Sequence, residues 1–499
     1  METLPHLLAG FAAALTPANL LFALIGCVLG TLIGVLPGLG PAAGTAILIP
    51  LTFKLDPTAA IIMLAAIYYG AMYGGTITSV LINVPGEAAS VVTCLDGYQM
   101  AKQGRGGTAL GIAAIGSFVG GVVASLALTA VALPLARFAL RFGPPEFFAL
   151  MAVGLSLVTG LAGRSLVAAL LMTVFGLLLA MVGIDPVRGA PRFTFGVAEL
   201  YDGVGFIPVV MGLFGIAEIL LTAEAPYREV IQTKLRSMLP SRAEWRRSAG
   251  AIGRGTAIGF FLGLIPGVGA IIPTFMAYIV EKRLSAHPER FGMGVIEGVA
   301  APETANNAYA NASMIPLLAL GVPSSPTIAV LMGAFIINGL TPGPFLFQER
   351  PDLVWAVIAS FFVGNVILLV LNLPLVGLWA RLLRIPYQYL AVGTLLFCVV
   401  GAYSLKQSVF DVGLMVGFGL LGYVLRKLDF PLAPAVLALI LGPFMEKSLR
   451  TSLEMSGGDF SIFLTRPLAL GLLLVAALVL ASSALRLAPL RAVREADSA

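Results

Sequence analysis

Along this chain, apolar stretches of helix length follow one another with only short polar breaks between them. They lie near residues 57–82, 108–133, 147–163, 165–182 and 204–221, and again near 294–320, 353–382, 387–404, 408–425, 431–445 and 462–485. A helix needs about 20 apolar residues to cross a hydrocarbon core roughly 30 Å thick. Inside lipid the backbone must also satisfy its own hydrogen bonds, which leaves helices and closed barrels. The pattern predicts an all-α, polytopic transmembrane protein. The charge content agrees. Asp, Glu, Lys and Arg make up 11% of the 499 residues, where a soluble domain carries about a quarter. The mean hydropathy is +0.98, and only lipid suits a surface of that kind.

Several chemistries are excluded by residue type and spacing. Cys27, Cys94 and Cys398 stand far apart in apolar surroundings, with no CxxC pair, and His6 and His287 stand alone. Neither a disulfide framework nor a zinc site is expected, and an HExxH motif is absent. No lysine follows a glycine, so no P-loop exists to hold nucleotide phosphates. The chain does not read as an enzyme, and nothing in it suggests nucleic-acid binding. The first 50 residues contain no Lys or Arg, so a cleaved leader with a positive n-region is not expected.

A polar segment divides the chain. Residues 1–222 read as a first membrane repeat, 223–254 as a linker, 255–450 as a second repeat, and 451–499 as an additional helix with a tail. The linker carries Arg228, Lys234, Arg236, Arg242, Arg246, Arg247 and Arg254, which the positive-inside rule assigns to the cytoplasm. If crossings alternate, Lys102, Arg105, Arg164, Arg381, Arg384, Arg426, Lys427, Arg486, Arg491 and Arg494 fall on that side too. Arg137, Arg141, Arg188 and Arg192 fall outside and break the rule.

The two halves share a motif without a gap. Gly26, Gly30, Gly34, Pro37, Gly38 and Gly40 recur as Gly255, Gly259, Gly263, Pro266, Gly267 and Gly269, giving GxxxGxxxGxxPGxG twice. Six ordered matches point to internal duplication. Glycines four apart bare one helix face so that another backbone can approach. The PGxG end then breaks the helix, because proline lacks an N–H and glycine tolerates unusual dihedrals. Apolar sequence follows at once in both copies, so each break lies at membrane depth. That is tolerated only inside protein or beside a polar cavity. A helical hairpin or discontinuous helix is expected in each half.

A second pair of breaks lies downstream. Asn83-Val84-Pro85-Gly86-Glu87 parallels Gly321-Val322-Pro323-Ser324-Ser325. Each follows a long helix carrying small and polar residues: Tyr69, Tyr73, Thr76, Thr78 and Ser79 in one, Asn306, Asn307, Tyr309, Asn311 and Ser313 in the other. Such side chains need partners in a bilayer and suggest a hydrated cavity. An odd count of five crossings between the copies implies inverted repeats whose broken segments meet near the midplane, the usual place for a transporter site, and the count fails if Asn19–Leu36 makes a full crossing of its own.

At these residues the chain resembles the large membrane subunit of the tripartite tricarboxylate transporter family, the TctA-type permeases. The resemblance rests on GTLIGVLPGLGPAAGTAILIP and YGAMYGGTITSVLINVPGEAASVVTCLDGYQMAKQGRGG in the first half. The second half adds GLIPGVGA, APETANNAYANASMIPLLALGVPSSPTIAVLMGA and NGLTPGP. It implies a multi-pass protein of the bacterial inner membrane, working with a small four-helix membrane subunit and a periplasmic solute-binding protein. It further implies uptake of a carboxylate (tricarboxylate, dicarboxylate or aromatic acid) by symport with Na+ or H+, with no cofactor, in an elevator-type fold.

On that reading the substrate carboxylate sits on helix N-termini made by the breaks, where free N–H groups and the helix dipole favour an anion. The expected binding residues are Asn83, Pro85, Gly86, Ser90, Asn307, Pro323, Ser324 and Ser325. The helix breaks Pro37, Gly38, Gly40, Pro266, Gly267 and Gly269, with Asn306, serve ion coupling, and Na+ is expected near Asn83 and Asn306. Glu87, Asp96 and Glu303 are candidate coupling carboxylates, because acids inside a membrane are costly; an aqueous edge or a helix cap is the alternative for each. A passive channel and a membrane enzyme are the competing functions, and a standalone symporter is a variant of the first reading.

Overall fold

The structure is a computed structural model that describes residues 3–36, 40–161, 165–185, 189–224, 238–383, 385 and 387–497. The first half contains α1 (Thr3–Ala14), α2 (Pro17–Val35), α3 (Gly40–Leu48), α4 (Pro57–Ile82), α5 (Val91–Lys102), α6 (Gly106–Ala139), α7 (Pro144–Leu161), α8 (Leu166–Ala180), α9 (Phe206–Val210) and α10 (Ala217–Ala223), the last two joined by a π turn. The second half contains α11 (Arg242–Gly263), α12 (Ile271–Leu284), α13 (Glu297–Ala312), α14 (Met314–Leu320), α15 (Pro326–Ile337), α16 (Leu346–Glu349), α17 (Pro351–Asn372), α18 (Val376–Leu382), α19 (Tyr387–Lys406), α20 (Val409–Lys427), α21 (Ala433–Met455), α22 (Ile462–Thr465) and α23 (Pro467–Asp497). The fold is all-α apart from one antiparallel pairing of Gly183–Ile184 with Pro191–Arg192. Ion pairs from Arg192 to Glu446 and from Arg450 to Asp185 fix that hairpin to α21. Among the described residues, seven helices are long and apolar enough to cross a membrane.

The glycine stripes decide the packing. A Cβ added at Gly26, Gly30 or Gly34 of α2 would lie 2.4, 2.4 or 2.3 Å from the carbonyl oxygens of Met63, Ile67 and Ala71 on α4. On α11 a Cβ at Gly255 or Gly259 would lie 2.4 or 2.2 Å from the carbonyls of Ala301 and Ala305 on α13, and Gly263 faces Tyr309 and Ala312. The spacing of the carbonyls matches between halves as the glycines do. Residue numbers rise together across both contacts, so each stripe helix runs parallel to its partner. Backbones this close gain dispersion and Cα–H···O contacts that side chains would forbid.

Each stripe helix then turns back on itself. Gly44 of α3 meets the side chain of Ile33 on α2. Arg254 on α11 donates to Glu281 on α12, with Nε 2.5 Å from one oxygen and Nη2 2.9 Å from the other. α2–α3 and α11–α12 are therefore helical hairpins, and chain breaks separate their arms in both copies. Pro37 and Gly38 lie outside the described residues, between the end of α2 and the start of α3.

The long helices α4 and α13 cross at the centre. Tyr68 pairs with Ser313 at 3.2 Å and Thr76 donates to Glu303 at 2.5 Å, so rising numbers on one meet falling numbers on the other. The two are antiparallel. Both are buried throughout their middle turns, which is what lets α13 carry Glu303, Thr304, Asn306, Asn307 and Asn311 away from lipid. Lipid-type surface appears elsewhere, at Leu396 and Val400 of α19, Leu420 and Val424 of α20 and Leu474 and Leu478 of α23, all exposed.

Some sequence boundaries shift for identifiable reasons. The stretch 353–382 is two helices, α17 and α18, because Pro374 cannot continue the first. The stretch 294–320 is divided at Ser313, ahead of Pro316. The stretch 431–445 runs on to Met455. α1, which lies outside the expected apolar stretches, packs through His6 and Gly10 on Trp355 of α17.

One polar tie joins the halves away from the central crossing. Asp96 on α5 is fully buried. Its carboxylate accepts from the backbone N–H groups of Gly292, Gly294 and Val295 at 3.0, 2.8 and 2.8 Å and from the Tyr278 hydroxyl at 2.8 Å. These donors hold the loop between α12 and α13. Asp96 serves as an anchor for that loop, and its four bonds leave it little freedom to engage a passing ion.

Two expectations follow. Gly259→Val should lower the unfolding temperature of the detergent-solubilised protein, at a cost of about 1–3 kcal/mol for overpacking. Gly417→Ala should leave it unchanged or raise it slightly, because nothing lies within 4 Å of a Cβ there and alanine favours a helix. Separately, Asp96→Asn should raise amide hydrogen exchange across residues 291–296 by tenfold or more, since bonds to a charged acceptor contribute about 1.5–3 kcal/mol each. Unchanged exchange would show that the loop is held by other contacts.

Candidate functional site

The two downstream breaks have the same backbone. Asn83 and Gly321 end α4 and α14 in the left-handed region, at φ 53° and 69°. Four residues later Glu87 and Ser325 are extended, at φ −147°, ψ 164° and φ −154°, ψ 166°, and each is the N-cap of a new helical segment. Ser325 Oγ accepts from the N–H of Ile328 at 3.2 Å. Glu87 and Ser90 form a reciprocal capping box, in which Ser90 Oγ accepts from the N–H of Glu87 at 3.3 Å. The matching conformations arise from the same need. A chain leaving a helix turns sharply only with a positive φ, and it re-enters a helix only with an N-cap acceptor.

Each break folds back on the hairpin of its own half. Gly86 is pressed against Gly34 and Gly75, where a Cβ would lie 2.0 Å from the Gly34 carbonyl oxygen; only glycine fits. In the second half the Ser324 carbonyl accepts from the N–H of Gly269 at 3.3 Å and from the Tyr309 hydroxyl at 3.1 Å. Gly267 and Gly269 take φ of 81° and 69° in the tip of the α11–α12 hairpin, where Pro266 is half-buried, and Gly40 takes 60° at the start of α3.

The break of the first half also meets the long helix of the second. Asn306 Nδ2 on α13 donates to Glu87 at 2.6 Å. Beside this pair, Glu303 accepts from the hydroxyls of Thr76 and Thr93. Asn307 Nδ2 donates to Ser117 Oγ on α6 at 2.7 Å, and Ser125 Oγ donates to Asn311 at 3.0 Å. Both Glu87 and Glu303 are buried, and among the described residues neither has a Lys or Arg ion-pair partner. The amide oxygens of Asn306, Asn307 and Asn372 and the hydroxyl of Tyr73 are buried without a hydrogen-bond partner.

The sequence residues thus fall into three groups. Gly86, Glu87, Ser90, Asn306, Glu303 and Asn307 are gathered at the crossing, whereas Pro323, Ser324 and Ser325 lie in the second break, against Gly269 of the hairpin tip. Asn83 and Pro85 are half-buried at the end of α4. Where a hydrated cavity is expected, most polar groups of the described residues at the crossing bond to one another. A void of about 10 Å³ lies beside them, lined in part by Tyr73, Thr76, Ser117 and Asn372. Ser90 is committed to Glu87 and is fully buried. Sequence reasoning missed Tyr68, Thr93, Ser117, Asn372 and Asn365, whose Nδ2 on α17 lies 3.5 Å from Asn311 Oδ1. The two amides stood out in an apolar stretch and could have been found, since carboxamides in lipid require partners; lone hydroxyls give no such signal.

Comparison with known proteins fits this architecture. Residues 20–437 match the model of the tripartite tricarboxylate transporter TctA family. A protein of Agrobacterium vitis, described as an uncharacterized 52.8 kDa protein in the TAR-I ttuC' 3' region, is 47% identical over 476 residues, covering 95% of each chain. An uncharacterized protein in the TAR-II ttuC' 3' region of the same organism is 47% identical over 215 residues, covering 43% of this chain and 89% of its own length. No solved structure matches. With a family match over most of its length and a polytopic helical fold built on paired helix breaks, the chain belongs to the tripartite tricarboxylate transporter TctA family.

Proposed function

We propose that this chain is the large permease subunit of a binding-protein-dependent, ion-gradient-driven secondary transporter that imports carboxylates across the bacterial inner membrane. A periplasmic solute-binding protein delivers the substrate, and a small four-helix membrane subunit completes the complex. The basic linker around Arg242, Arg246 and Arg247 faces the cytoplasm. The observation that carries this reading is the pairing of two breaks of identical backbone form around an antiparallel crossing of equivalent helices. Parallel packing within each half and antiparallel crossing between halves support an inverted relation, with alternating access of the elevator type.

The two breaks differ in charge, and this supports a division of labour. At the first, the capping site is already taken by the carboxylate of Glu87. At the second, the cap is the neutral Ser325, and Ser324 and Thr327 add hydroxyls beside the N-terminus of α15. A substrate carboxylate is favoured at residues 324–327, where the dipole end is uncompensated by an acid. The coupling cation is favoured at the acidic side, near Glu303, Asn306 and Asn307.

The test is uptake of labelled di- and tricarboxylates by cells carrying the permease with both partners. Ser324→Ala combined with Ser325→Ala should lower uptake tenfold or more while the protein still reaches the membrane in normal amount. Uptake that neither saturates nor responds to ion gradients would support a passive channel instead. Normal uptake by the double variant would reject the second break as the anion site.

A further inference from the structure

The void beside the crossing of α4 and α13 belongs to none of the roles assigned above. It holds about 10 Å³ of accessible space, close to the volume of a single water or small ion. Four oxygen-bearing side chains line it, those of Tyr73, Thr76, Ser117 and Asn372, and apolar side chains of α4 and α6 complete the wall. Their hydrogen-bond commitments limit what they can offer. Thr76 donates its proton to Glu303, and Ser117 donates to the Glu303 carbonyl at 3.3 Å while accepting from Asn307. Asn372 donates through Nδ2 to the Leu368 carbonyl at 2.9 Å, which fixes the amide orientation and leaves Oδ1 as the free end. Three of the four groups can present only lone pairs. Asn372 Oδ1 and the Tyr73 hydroxyl are 4% and 3% exposed by residue and have no partner.

We propose that Tyr73, Thr76, Ser117 and Asn372 form a binding site for a single dehydrated sodium ion. The site rests on the ion-driven part of the function proposed above and adds residues on α6 and α17 to it. Hard monovalent cations are bound by neutral oxygens of this kind. The charge that favours a cation over water is the Glu303 carboxylate, one hydrogen bond behind Thr76 and without a basic partner among the described residues. In a low-dielectric interior an unpaired carboxylate attracts a cation far more strongly than at a surface. The site also draws on α4, α6 and α17, so an ion held there ties an element of the first half to one of the second through Glu303.

The experiment needs no substrate and no partner protein. The purified full chain in detergent is melted across a NaCl titration, with KCl and choline chloride at matched ionic strength. Sodium alone should raise the melting temperature of the wild type in a saturable way. Tyr73→Phe, which removes one oxygen and keeps the ring, should raise the half-saturating sodium concentration about tenfold. Asn372→Asp, which adds a charge at the same position, should lower it. If potassium and choline stabilise as well as sodium, or if the three proteins share one half-saturation point, the void takes a buried water only and the proposal falls. Sodium binding with these shifts but without carboxylate uptake would leave the site standing and remove the transport reading.

Discussion

Close approach of backbones is the contact on which everything else in this molecule depends. Gly30 against the Ile67 carbonyl and Gly259 against the Ala305 carbonyl bring helix axes nearer than any side chain would permit. In a bilayer this matters more than in water, because lipid tails are as apolar as leucine and no hydrophobic gain drives helices together. The hairpins α2–α3 and α11–α12 contain interrupted helices whose free backbone groups cannot face lipid. Clamping their first arms on α4 and α13 brings Gly34 to Ala71 and Gly263 to Tyr309, close to where the downstream breaks fold. Gly86 reaches Gly34 only because Gly34 has already reached Ala71.

The second constraint is polar. From Glu303 to Asn311, α13 places six polar or acidic side chains on a helix that is buried all round. Their partners come from α4, α5, α6, α17 and the two breaks, so the centre is a shared network of hydroxyls and amides from both halves. Such a network fixes one arrangement when satisfied and is costly when left open. Here it is satisfied except at a few oxygens: those of Asn306, Asn307, Asn372 and Tyr73. The exceptions cluster around the acids and are absent from the second break, where Ser324 and Ser325 both have partners. Symmetry of backbone with asymmetry of charge is what a duplicated scaffold would develop if its two ends came to hold ions of opposite sign.

Much of this architecture was legible in the residues. The doubled GxxxGxxxGxxPGxG run predicted close packing and breaks, and both appear at α11–α12 with the expected positive φ at Gly267 and Gly269. The parallel between 83–87 and 321–325 was also readable, down to the left-handed residue at Asn83, a type that tolerates that region. What could not be read was which helix each stripe would meet, because a bare face specifies close approach but not its partner. The tight closure of the centre was equally hidden: polar residues in a membrane helix suggest water as readily as one another. Asp96 shows a third limit. Its donors are the N–H groups of Gly292, Gly294 and Val295, and backbone donors leave no trace in sequence.

The distribution of charge also constrains the order of events in the transport reading. Glu303 and Glu87 sit in one buried region with no Lys or Arg ion-pair partner among the described residues. A di- or tricarboxylate approaching residues 324–327 enters the field of those acids across a medium that screens poorly. Repulsion of that kind is relieved by a cation that arrives first and neutralises the acidic side. An anion binding while those acids are ionised and no cation is present meets that repulsion, so affinity for the two is coupled and by linkage the coupling runs both ways. The same argument limits leak. On the proposed function, a cation held at the site proposed for Thr76, Ser117, Tyr73 and Asn372 without its anion would leave the second break unoccupied, and a rearrangement needing both ligands would lack one of them.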